Sequence, residues 1–97
     1  MTTIAGAAPS RLPRQGIQYA VHTHCGVDFI QFRGHAYKAV HPLIRYGHNA
    51  PIGWHNPYQT GRLYEARDGR LTFRAANPKL PVVHFVRTKQ KPTSCLI

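Results

Sequence analysis

The sequence predicts an all-β fold, a small, partly open barrel of five or six strands with mobile basic termini. Three observations carry that expectation. Eight glycines and eight prolines punctuate 97 residues, so no helix much longer than about twelve residues fits between breakers. Several segments alternate apolar and polar residues at period two, the signature of a strand with one buried face. Turn dipeptides recur between those segments, at the close spacing of a small β domain.

The elements follow in order. Residues 1–16 carry Pro9, Pro13, Arg11 and Arg14 without hydrophobic period and read as a flexible basic arm. A single β domain is expected over residues 17–88 and a second basic tail over 89–97. The first strand places Ile17, Tyr19, Val21 and Thr23 on one face and Gln18, Ala20, His22 and His24 on the other, and ends at Gly26. Strands over Val27 to Phe32 and His35 to Val40 flank Arg33-Gly34, a tight reversal. Residues 41–59, rich in proline and histidine and holding the single tryptophan, form an expected long loop that packs over a barrel end or binds something. A fourth strand over Gly61 to Arg67 leads into Asp68-Gly69, read as a two-residue hairpin turn. That turn pairs Arg67 with Arg70, Ala66 with Leu71 and Tyr64 with Phe73 on a core face, and Glu65 with Thr72 on the other. The last strand, Pro81 to Thr88, sets Val82, His84 and Val86 opposite in sense to Val83, Phe85 and Arg87.

Charge narrows the partner class. Thirteen Lys and Arg face three acids, Asp28, Glu65 and Asp68, for a formal charge of +10. Such an excess draws polyanions without requiring a particular sequence, and the predominance of arginine suits phosphate, which guanidinium grips through paired hydrogen bonds. Residues 1–16 lack the basic start and long apolar run of a secretory signal, and no run approaches a membrane span. A cytoplasmic location follows as the expectation, with Cys25 and Cys95 as free thiols.

His24-Cys25-Gly26-Val27, then Phe32-Arg33-Gly34-His35-Ala36-Tyr37, then Gly53-Trp54-His55-Asn56-Pro57-Tyr58-Gln59-Thr60-Gly61, and finally Leu71-Thr72-Phe73-Arg74 occur in that order. Together these HCGV, GWxNPxxxG and FR elements resemble a set of small uncharacterised actinobacterial and phage proteins. The resemblance implies an all-β fold and a bacterial or phage origin, and it brings no activity or catalytic residue with it.

The expected function is nucleic-acid binding, mainly through the phosphate backbone. Arg45, Arg62, Arg67, Arg70 and Lys89 are the candidate phosphate contacts, and Tyr46, Trp54 and Tyr58 the candidate rings on which unpaired bases stack. For Trp54 the preferred reading is a plug in one barrel end, with Asn56-Pro57 turning the chain into the fourth strand. No cofactor is required, although His22, His24 and Cys25 form a weak H-x-H-C zinc candidate in which Cys25 points away from the two histidines. The principal alternative is a protein-interaction or phage accessory module that docks on an acidic partner. A further alternative is a metal-free ribonuclease using His22 and His24 beside Arg74. Strand chemistry, oligomeric state and DNA versus RNA stay open.

Overall fold

A computed structural model describes residues 12–44 and 50–90. Within them lies one six-stranded antiparallel sheet curled into a nearly closed barrel. The strands are β1 (Ile17–His22), β2 (Val27–Phe32), β3 (His35–Leu43), β4 (Tyr58–Glu65), β5 (Leu71–Ala75) and β6 (Val83–Thr88). Their spatial order is β1-β4-β5-β6-β3-β2, so β1 and β2 are neighbours in sequence yet the two free edges of the sheet. These edges meet without a ladder, and the hydrogen bond across them runs from Tyr19 Oη to the Gln31 carbonyl (3.0 Å).

Alternation does what the sequence predicts in most strands. Val21, Ile30, Tyr37, Ala39, Leu63, Leu71, Phe73, Val83 and Phe85 point inward and are buried. Each large side chain so enclosed contributes roughly 1.5–3 kcal/mol. Phe73 sits at the centre, with Trp54 stacked on it at 6.1 Å and Tyr19 edge-on at 6.5 Å. Gly61 makes this closeness feasible, because a Cβ there would stand 2.6 Å from the Phe73 ring and closer still to the Arg74 carbonyl oxygen.

The β2–β3 hairpin is as expected, with positive φ at both Arg33 (52°) and Gly34 (79°). The β4–β5 hairpin is not. Its register pairs Glu65 with Leu71, Tyr64 with Thr72 and Leu63 with Phe73, one residue away from the expected pairing. Asp68 does not take the positive φ that a two-residue turn demands of it; Gly69 alone does, at 89°. Gly69 N–H donates to the Ala66 carbonyl and Ala66 N–H to the Arg70 carbonyl, a longer turn closed by a glycine bulge. One residue of slip exchanges the faces of β4, so Leu63 rather than Tyr64 enters the core.

Several boundaries also move: β4 runs Tyr58–Glu65 rather than Gly61 to Arg67, and β6 starts at Val83 rather than Pro81. β3 runs on to Leu43 because Leu43 pairs with Val27 beyond a bulge, and Pro42 lies past the part of β3 that β6 pairs, where no donor is missed. The folded unit starts before Ile17: Leu12 is buried, its N–H donates to Glu65 Oε1 (2.8 Å), and Gly16 N–H closes a turn on the Pro13 carbonyl. The rest of the expected arm, residues 1–11, lies outside the described residues, as do 91–97 of the tail.

Candidate nucleic-acid interface

The strand order gathers charge at one end of the barrel. The start of β1 lies beside the end of β4, the β4–β5 turn beside the end of β6, and the end of β6 beside the β2–β3 turn. Arg14, Arg33, Arg67, Arg70, Arg87 and Lys89 therefore stand around the same rim, each of them exposed. Glu65 and Asp68 are the acids there. Glu65 spends an oxygen on Leu12 N–H, and Asp68 meets Arg70 at 3.4 Å with both side chains about three-fifths exposed (63% and 62%). Such an exposed pair contributes little and leaves the rim strongly positive.

Two shallow clefts flank Arg87. One, of about 420 Å³, lies between Gly34, His35, Arg87 and Lys89; the other, of about 430 Å³, between Tyr37, Glu65, Asp68, Arg70 and Arg87. Arg87 Nη2 donates to His35 Nδ1 (2.8 Å). A guanidinium only donates, so Nδ1 is the acceptor in this contact.

Of the expected phosphate contacts, Arg67, Arg70 and Lys89 belong to this rim. Arg62 lies along the barrel wall, where its Nη1 donates to the Gln15 and Gly16 carbonyls (3.2 and 3.3 Å) and ties down the turn before β1. It sits directly across from Arg74. Arg45 and Tyr46 lie outside the described residues. Arg14, Arg33, Arg87 and His35 are rim residues outside the expected set of contacts. A pointer existed for Arg33 and His35, since both lie at a predicted hairpin turn.

The opposite end is built differently. Trp54 is 7% exposed and plugs it, as the preferred reading expects, so it offers no stacking platform. The segment around it is pinned by a polar clamp: Thr23 N–H donates to the Pro57 carbonyl, Thr23 Oγ1 to the His55 carbonyl, and His55 N–H to Gln59 Oε1. Thr23 and Gln59 are buried and satisfied by these bonds. The Asn56–Pro57 peptide is cis. Tyr58 emerges just after the clamp, 56% exposed, its ring edge-on to His22 at 5.4 Å.

The zinc candidate does not assemble. The His22 and His24 rings are 6.3 Å apart, and His24 Nδ1 lies 3.3 Å from Asn56 Oδ1. Cys25 is disulfide-bonded, which corrects the expected free thiol and removes a thiolate ligand. The sequence holds one other cysteine, Cys95, outside the described residues. No group of three His, Cys, Asp or Glu suited to a metal forms among the described residues. The ribonuclease arrangement is also dispersed: His22 pairs with Tyr58 and Arg74 with Arg62, four residues apart on β4, about 13 Å along a strand. Among the described residues no helix is long and apolar enough to cross a membrane. No protein-family model, curated protein or solved structure matches this chain, so its function rests on this geometry.

Proposed function

We propose that this protein binds nucleic acid through its phosphate backbone, using the cationic rim of Arg14, Arg33, Arg67, Arg70, Arg87 and Lys89. One observation carries the reading: cations far apart in sequence converge on one barrel end, where the acids among the described residues are Glu65 and the exposed partner of Arg70, Asp68. A surface so rich in one sign of charge stores repulsion that phosphates relieve. Guanidinium groups from different strands can follow successive phosphates without reading bases.

Titration of a labelled oligonucleotide in rising salt tests this. Log affinity should fall linearly with log salt, and replacing Arg67, Arg70 and Arg87 together by Gln should flatten the slope by roughly two to three, near 0.7–0.9 for each phosphate no longer neutralised. Absence of binding to DNA and RNA in dilute buffer would refute the proposal. Capture of an acidic protein in that case would favour the protein-docking module instead.

A further inference from the structure

We propose that the open seam between β1 and β2 is a base-binding cleft, so that the nucleic acid attracted by the rim is held as a single strand. This rests on the phosphate-binding reading above and adds the class of polymer. The cleft has a volume of about 290 Å³ and is lined by Tyr19, Ala20, His22, Phe29, Gln31 and Tyr58, with Ile30 at its side. Rings stand on both walls: Tyr58 and His22 on the β1–β4 side, Phe29 on the β2 side. Two aromatic walls with a gap between them suit a flat ring system with two π-faces, which every nucleobase offers.

Polar groups and charge lie where such a ligand needs them. The facing edges of β1 and β2 share no ladder; Tyr19 Oη donates to the Gln31 carbonyl, and the Gln31 side chain lines the cleft, where an amide can meet the hydrogen-bonding edge of an inserted base. Lys38 holds its ammonium 5.7 Å from the Phe29 ring centroid, beside the wall where the adjoining phosphate would pass. The seam runs from His22 and Tyr58, at the end opposite the rim, along β1 and β2 to the rim end, where Arg14 precedes β1 and Arg33 holds its guanidinium 5.1 Å over Phe32. A single strand of several nucleotides can thus lie along the seam, with a base between the rings and phosphates farther along it at the rim, about 16 Å away. A duplex cannot, because its base faces and pairing edges are already used within its own stack.

Fluorescence anisotropy of the full chain with a mixed-sequence DNA single strand, its duplex and an abasic strand of equal length tests the idea. The base-bearing strand should bind roughly tenfold or more tighter than the abasic one, given ~1–3 kcal/mol per stacked base. Tyr58→Ala and Phe29→Ala should each remove most of that difference while leaving the abasic affinity and the salt slope unchanged. Tyr58 is exposed, so its truncation leaves the core intact, and a conservative Tyr58→Phe should restore binding. Equal affinity for base-bearing and abasic strands, or tighter binding of the duplex, would overturn the seam and leave the rim standing. Failure to bind any of the three would overturn both. Displacement of the single strand from the seam by an extended peptide, lost in Tyr58→Ala, would assign the cleft to strand addition and likewise overturn it.

Discussion

Trp54 shows how one side chain chooses between core and surface. An indole flanked by prolines in a basic chain satisfies the composition of a nucleic-acid platform and of a plug equally well; what decides is a partner it cannot see from its neighbours, the Phe73 ring 6.1 Å away on β5. The GWxNPxxxG element is structural at three positions, since Trp54 fills the barrel end, Gln59 clamps the His55 amide and Gly61 admits the Phe73 ring, while Tyr58 between them faces solvent. Trp54→Ala should cost about 3–5 kcal/mol of stability, read as a lowered urea midpoint, with phosphate binding of the remaining folded protein unchanged. A midpoint within error of the parent would mean that the indole leaves its site. Cys25 is equally illegible, since a cysteine beside two histidines has the same local appearance as a ligand, a buried thiol or half of a disulfide.

Hairpins and edges decide what each strand shows to the interior. The limits of β2 and the reversal at Arg33-Gly34 are legible because alternation and turn chemistry agree there. In the β4–β5 hairpin they compete: Asp-Gly favours a two-residue turn, but that turn would put Tyr64 inside and Leu63 in solvent. Burial of Leu63 (0% exposed) prevails, and the loop lengthens by one bulge to allow it. Gly69 holds φ at 89°, and a Cβ added there would meet nothing within 4 Å. Its replacement by Ala should therefore cost about 1–2 kcal/mol from backbone strain alone; an unchanged thermal midpoint would contradict the bulge. The seam carries its own signature. Burial raises the Tyr19 hydroxyl above its ordinary pKa, so the unfolded chain ionises first as pH climbs. The stabilising contribution is full below about pH 10 and is lost as pH rises from there through the folded value. Ionisation also removes the donor to the Gln31 carbonyl. Tyr19→Phe should cost roughly 0.5–1.5 kcal/mol at neutral pH and show a shallower alkaline decline than the parent in denaturant titrations run across that range.

Polarity of the whole barrel is the property that no local pattern reveals. Arg33, Arg67 and Arg87 lie on three different hairpins or strand ends, and only the order β1-β4-β5-β6-β3-β2 brings them to one rim while leaving His22, His24 and His55 at the other end. The sequence announces the surplus of +10; closure of the sheet brings six of its cations to one rim. Concentration has a thermodynamic consequence that needs no ligand. Like charges held around one rim repel more in the folded state than in the expanded chain, and the repulsion is strongest where screening is weakest. Between about 0.01 and 0.15 M monovalent salt the screening length shrinks from roughly 30 to 8 Å, a span that covers the distances across a small barrel. The thermal midpoint should therefore rise over that interval, and the Arg67, Arg70 and Arg87 triple replacement by Gln should start higher at low salt and respond less. A midpoint that falls with salt, or a triple variant as salt-sensitive as its parent, would mean that the charge is dispersed over the surface, and the rim would lose its claim on phosphate.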